Sequence, residues 1–208
     1  MKLDTALYRL RSDPLGFLRT NLLSIAGHSQ SAARLYYFGF YDNFVRSATT
    51  NEGFKFAPDS FLAASSTAGV DGKSTTAVSV HNVRMIPSTE DVDLSDIDSY
   101  TLGTGGPDLM VTGQLSGCVF AIQQKPASLV VAHIQPGGKR QGGAMLRESI
   151  RLMGRFRGNG RVTRVFGIGK DYPVRAHVIG IRTGGTWRLY AQQVAAGNGP
   201  VTGSVQIL

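Results

Sequence analysis

Residues 118–135 read CVFAIQQKPASLVVAHIQ. Two apolar, β-type runs, Cys118–Gln123 and Ser128–Gln135, flank Gln124-Lys125-Pro126-Ala127, a pattern that predicts a hairpin. Pro126 favours a turn because it has no amide proton to give to a strand ladder. Similar short runs lie on either side, at Ala77–Met85, Leu109–Thr112, Val162–Phe166, Arg175–Arg182 and Trp187–Val194, separated by glycine and proline breaks. One helix interrupts them, Ala144–Phe156. Its apolar residues Leu146, Ile150 and Met153 recur at helical spacing, and Arg147, Arg151 and Arg155 form a basic stripe on another face. Together these elements predict an α+β fold, a β-sandwich of mixed sheets with surrounding helices and loops.

Toward the N-terminus the texture differs. Leu3, Leu7 and Leu10 have helical spacing, Ser12-Asp13-Pro14 reads as the cap and first turn of a second helix, and Gly27 is a plausible stop. The aromatic segment Arg34–Val45 fits helix or strand, and residues 46–75, rich in Ser, Thr, Ala and Gly, read as loop. Residues 1–50 are therefore expected to form a separate helical segment, an export or targeting element, with 51–208 as the main domain.

The 208-residue chain is 42% hydrophobic, enough for a real core, and its 26 glycines imply many turns. No apolar run is long enough to cross a bilayer, and the opening MKLDTALYRLRSDP lacks the clean apolar stretch of a secretory signal. A single cysteine excludes an intramolecular disulfide framework and fits a reducing compartment. The net charge of +8 is uneven. Glu90, Asp91, Asp93, Asp96 and Asp98 form an acidic stretch, whereas twelve Lys or Arg from Lys139 onward face only Glu148 and Asp171. Such a half attracts acidic protein, membrane surface or nucleic acid, or simply solvates a face. Nucleic acid is disfavoured, because only Phe156 interrupts the basic run as a stacking platform would require.

Several tempting motifs fail. Gly72-Lys73-Ser74 lacks the glycine that a phosphate loop needs five residues before Gly72, where Thr67 stands. Gly103-Thr104-Gly105-Gly106 and Gly158-Asn159-Gly160 are turns. The histidines His28, His81, His133 and His177 lack zinc-ligand spacing, so no metal site is expected.

Thr112-Gly113-Gln114-Leu115-Ser116-Gly117-Cys118 carries the remaining chemistry. Glycine before a cysteine permits a tight turn and close approach of a substrate to the backbone. Exposed amide protons in such a turn are expected to lower the thiol pKa and to stabilise an oxyanion. If the hairpin is centred between Lys125 and Pro126, Cys118 lies directly opposite His133 on one face, with Cβ atoms about 5 Å apart. That spacing suits a thiol–imidazole pair. His81, within Ala77–Met85, is a second but lower-ranked histidine for the same site.

Leu115-Ser116-Gly117-Cys118 resembles the signature around the nucleophile of the cytotoxic necrotizing factor and Burkholderia lethal factor glutamine deamidases. His133 follows at the family's interval, and Thr112 matches the threonine six residues before the cysteine in the lethal-factor branch; the likeness covers about residues 112–133. It implies Cys118 as nucleophile, His133 as base, Thr112 as the residue that orients the imidazole, and Gly117 with Ser116 shaping the turn and oxyanion site. It implies no metal or organic cofactor. It further implies a monomeric toxin, exported by a signal-peptide-independent route, that acts in host cytosol on a host protein such as a Rho-type GTPase or a translation-initiation helicase. Arg147, Arg151 and Arg155 are then candidates for target docking. The same residues equally suit a cysteine protease or a transglutaminase, and a non-enzymatic basic binding module is the alternative from another class.

Overall fold

The computed structural model describes residues 2–25, 35–42, 52–57, 70–86, 93–137, 142–196 and 200–208. Helices α1 (Leu3–Ser12) and α2 (Pro14–Thr20) precede strands β1 (Leu22–Ile25), β2 (Leu35–Asp42), β3 (Glu52–Ala57) and β4 (Val70–Val83). Then come β5 (Met85–Ile86), β6 (Tyr100–Leu102), β7 (Leu109–Thr112), β8 (Val119–Lys125) and β9 (Ser128–Ile134). Helix α3 (Gly143–Met153) leads to β10 (Arg155–Phe156), β11 (Gly160–Arg161), β12 (Arg164–Gly167), β13 (Arg175–Thr183), β14 (Thr186–Val194) and β15 (Val201–Gln206). The fold is α+β, as the pattern of short strands predicts.

The larger sheet has the order β1-β3-β2-β4-β7-β13-β14-β15 and is nearly closed into a barrel. Its inner face and the helices α1 and α2 share one apolar cluster, including Leu10, Phe17, Leu18, Phe38, Phe54, Phe56, Val80, Val111 and Ile179. Asp13 accepts the Gly16 amide at 3.1 Å, with Pro14 in the first turn of α2, so the expected cap is present. Residues 1–50, expected as a helical segment apart from the rest, instead contribute two helices and strands β1 and β2. Among their buried side chains, Ala6, Leu7, Leu10, Phe17, Leu18, Leu23, Ile25 and Phe38 lie in the cluster shared with β4, β7 and β13, while Leu22 packs with Val194 and Val201. Residues 46–75, expected as loop, contain β3 and the start of β4, whose span includes Gly72-Lys73-Ser74. Phe54 and Phe56 supply a two-residue apolar alternation that the small polar residues around them obscure. Gly27 and His28 lie outside the described residues.

The second sheet runs β12-β8-β9-β5, with β6 also on β9. Alternation along its central hairpin explains its near-continuous apolar sequence, since both faces are covered. Cys118, Phe120, Ile122, Leu129 and Val131 face the larger sheet and meet Val83, Met110, Val178 and Leu189. Val119, Ala121, Val130, Ala132 and Ile134 face the other way, against Leu146 and Ile150 of α3.

The path from β4 to β5 positions the site. The chain leaves the larger sheet after Val83, which pairs with Thr112, and joins the second sheet at Met85, which pairs with His133. One residue, Arg84, separates these two pairings. The switch therefore brings the end of β7 up to the end of β9.

A buried carboxamide fastens the N-terminal elements to β14. Gln192 Oε1 accepts the Leu23 amide at 2.8 Å, and its Nε2 donates to the carbonyls of Leu18 and Asn21 at 2.7 Å each. Replacing Gln192 with leucine strands three backbone polar groups in the core, at about 1–3 kcal/mol for each group that finds no water. Gln192→Leu is expected to lower the unfolding free energy in urea by roughly 3 kcal/mol. An unchanged midpoint would show that these bonds do not tie the two parts together.

Candidate active site

Thr112 and His133 are both fully buried (0% exposed), and the structure brings them together. Thr112 Oγ1 lies 2.7 Å from the Val83 carbonyl and 2.8 Å from His133 Nδ1. The carbonyl can only accept, so the single hydroxyl proton of Thr112 goes to Val83. Oγ1 must then accept from Nδ1–H. In the neutral imidazole that leaves Nε2 with its lone pair, the tautomer a general base requires.

The hairpin register differs from the expected one. The last ladder pair is Lys125 with Ser128, so Pro126 and Ala127 make the turn and His133 pairs with Phe120 instead of Cys118. Proline takes the corner, where its missing amide proton costs no ladder bond. The difference is two residues, and an even shift keeps every side chain on its face. Cys118, just before β8, thus shares a face with His133 but stands diagonal to it, a relation that spans about 7–8 Å between backbones and is within reach of long side chains.

Gly117 has φ +99°, a left-handed conformation that favours glycine, and nothing lies within 4 Å of where a Cβ would project. The expected tight turn is present, with open space beside its backbone. Ser116 is exposed at its tip. Tyr172, 1% exposed, had no counterpart in the sequence reading. Its hydroxyl accepts the Gly117 amide at 3.2 Å and donates to the Cys118 carbonyl at 2.7 Å. Burial above all holds the Tyr172 phenol above its ordinary pKa, and ionisation of the neighbouring Cys118 would raise it further, so it remains a donor. The Gly117 N–H expected at an oxyanion site is thus already engaged, and the Cys118 N–H is the donor of that turn that Tyr172 does not occupy.

Cys118 is 4% exposed. Burial pushes its thiol pKa up, and a backbone hydrogen bond at Ser116 offsets part of the rise. The lowered pKa expected of a cysteine in this turn is therefore overturned: loss of hydration outweighs the nearby dipole, and the resting group is a thiol.

The loop after β12 holds Tyr172 in place. Asp171 Oδ2 accepts the Gly167 amide and Arg147 Nε, each at 2.8 Å, and Gln193 Nε2 donates to the Asp171 carbonyl at 2.6 Å. The start of α3 closes over the same turn, because a Cβ on Gly143 would fall 2.0 Å from the Gly117 carbonyl oxygen. Arg147, one of the three arginines expected to dock a target, is buried in this arrangement, packed on Gly167 and paired with Asp171. Arg151 is exposed and paired with Glu148 on its own helix, while Arg155 is exposed at the start of β10. Arg157 pairs with Asp96 at 3.0 Å and Asp98 at 2.8 Å, so the basic run and the acidic stretch partly neutralise each other. Lys139, Arg140, Glu90 and Asp91 lie outside the described residues.

His81 is engaged elsewhere, with Nδ1 3.0 Å from the Tyr100 hydroxyl and its ring edge-on to Tyr100 and Trp187. His177 Nε2 lies 3.3 Å from Gln114 Nε2. A cavity of about 620 Å³ opens where β5 and β6 abut on one edge of β9, lined by Val83, Met85, Tyr100, Ala132 and Gln135 among others. It borders the residues that hold Thr112 and His133, but Thr112, His133 and Cys118 do not line it. Among the described residues no group of three or more His, Cys, Asp or Glu is placed to hold a metal ion, and no helix is long and apolar enough to cross a membrane. No protein-family model matches the chain, and no curated protein matches it in sequence.

Because Cys118 is the only cysteine, alkylation reports on it alone. A raised pKa leaves less thiolate at any given pH, so labelling by iodoacetamide is expected to be slow at pH 7 and to keep rising above the ordinary thiol range. Labelling that is already maximal at pH 7 would contradict the resting thiol.

Proposed function

We propose that the chain is a cysteine–histidine hydrolase that deamidates a glutamine side chain of a partner protein. The observation that carries this reading is the Thr112–His133 hydrogen bond, which makes Nε2 the basic nitrogen on the face that Cys118 shares. The match of Thr112, Leu115-Ser116-Gly117-Cys118 and His133 to the necrotizing-factor and lethal-factor deamidases supports the same assignment.

In this reading the side chains of Cys118 and His133 rotate towards each other across the diagonal, and Nε2 takes the thiol proton as sulfur attacks the carboxamide carbon. The raised thiol pKa makes proton transfer part of the attack step, with no standing ion pair. A carbon–sulfur bond forms, and the negative oxygen is met by the Cys118 N–H. The imidazolium returns its proton to nitrogen, the carbon–nitrogen bond breaks and ammonia leaves. Water, deprotonated by the same imidazole, attacks the thioester; the carbon–sulfur bond breaks, the thiol is restored and glutamate is the product. Thr112 keeps Nδ1 protonated throughout and accepts its hydrogen bond when the ring is charged. The open side of Gly117 is the approach for the carboxamide.

The resemblance directs the search for a target to Rho-type GTPases and translation-initiation helicases in a host cytosol, reached by signal-peptide-independent export. Docking on such a target falls to Arg151 and Arg155. The pairing of Arg147, Arg151 and Arg157 with carboxylates weighs against a purely electrostatic binding module.

Ammonia release and intact mass of candidate proteins test this reading. The wild type is expected to release ammonia with a glutamine-to-glutamate change in one target, and Cys118→Ser and His133→Asn to release none. Thr112→Val, which frees the tautomer, is expected to lower kcat by about 10- to 100-fold with little change in KM. Equal ammonia release by wild type and Cys118→Ser would remove Cys118 from the chemistry.

A further inference from the structure

Tyr172 sits 54 residues from Cys118 in sequence yet bonds both sides of the Gly117–Cys118 peptide. Its ring packs near Phe166, with centroids 5.6 Å apart, while its hydroxyl alone reaches the turn. Such an arrangement separates two roles: the ring fills the interlayer core, and the hydroxyl ties together the two peptide planes that flank the Gly117–Cys118 peptide, one through the Gly117 N–H and the other through the Cys118 carbonyl. Those planes matter because Gly117, at φ +99°, has open space on the side where a Cβ would project, so packing there does not fix its conformation. A glycine turn without a clamp samples several conformations, and each would carry the Cys118 N–H and sulfur to a different place.

The clamp is itself anchored. Asp171, adjacent to Tyr172, binds Gly167 N–H and the Arg147 guanidinium through one carboxylate oxygen, closing the loop that spans residues 167–171. Gly169 N–H donates to the Tyr172 carbonyl at 3.0 Å, and Gln193 fixes the Asp171 carbonyl from β14. Three elements therefore converge on one tyrosine: α3 through Arg147, the larger sheet through Gln193, and the loop after β12.

We propose that Tyr172 is the positioning residue of Cys118, and that the Arg147–Asp171 ion pair is its anchor. The proposal rests on the reading of Cys118 as nucleophile. It gives Arg147 a role in aligning the nucleophile in place of one in target docking. Tyr172 moves no proton in the reaction; it keeps the turn in the one conformation that presents sulfur and the Cys118 N–H together.

Tyr172→Phe retains the ring and removes only the hydroxyl, so packing and clamping can be told apart. The full chain is alkylated with iodoacetamide across a pH series, with thermal unfolding as a check on the fold. Loss of the clamp is expected to raise the labelling rate of Cys118 about tenfold at every pH, the effect of one or two hydrogen bonds on a local opening equilibrium. Arg147→Met, which untethers Asp171, is expected to raise it in the same direction, while Leu152→Gln, on the exposed face of the same helix, leaves it unchanged. If Tyr172→Phe labels at the wild-type rate and only Tyr172→Leu differs, the tyrosine merely packs and the proposal is overturned. On a target that the wild type deamidates, Tyr172→Phe is expected to lower kcat about tenfold at unchanged KM. Faster labelling in a chain whose wild type releases no ammonia from any target supports the clamp and defeats the deamidase reading. Ammonia release that Tyr172→Phe leaves intact, with unchanged labelling, does the reverse.

Discussion

A threonine hydroxyl has one proton to give, and at Thr112 the Val83 carbonyl receives it. The other contact of that oxygen, with His133 Nδ1, can then be made only by a proton on nitrogen. This small constraint keeps a proton on Nδ1 of a histidine that is wholly enclosed in protein. It also explains why two sheets must meet where they do. Val83 and Thr112 belong to the larger sheet and His133 to the second, and the crossing of the chain at Arg84 brings them together. Were β4 to continue straight, the two sheets would lack the one-residue link that sets the threonine of one layer beside the histidine of the other.

The same economy governs the cysteine. Its burial favours the neutral thiol, and its turn depends on a glycine in a left-handed conformation. Neither property by itself makes a nucleophile. Tyr172, the start of α3 and the Arg147–Asp171 pair turn a permissive loop into a defined one. The basic surface that composition advertises is in part an internal device: Arg147 braces a loop, and Arg157 holds the acidic stretch through Asp96 and Asp98.

What could be read from the sequence follows the range of the forces involved. The hairpin, α3 and most strands of the second half announce themselves through local periodicity, because each buries a face whose pattern is written along a few residues. The faces of Cys118 and His133 were legible for the same reason. Their register was not, since centring the turn on Lys125-Pro126 or on Pro126-Ala127 gives the same alternation and differs only in pairing. Strand β15, with Thr202, Gly203, Ser204 and Gln206, has too little apolar alternation to declare itself, and β3 is masked by its polar surroundings. Tyr172 and Gln192 were beyond local reading altogether, because their partners lie 54 or more residues away and a single tyrosine or glutamine carries no pattern. The thiol pKa was misjudged because turn chemistry is visible in sequence and desolvation is not.

The central claim concerns one proton, and long-range proton–nitrogen NMR correlation of the His133 ring observes it directly. Assignment by comparison with His133→Asn isolates that ring from the other histidines. The hydrogen bonds predict that the neutral ring carries its proton on Nδ1 and a lone pair on Nε2, with a population of the other tautomer that grows in Thr112→Val. A wild-type ring protonated on Nε2 with a bare Nδ1 would contradict this, because the nitrogen that the proposed reaction uses as its base would then have no lone pair to offer.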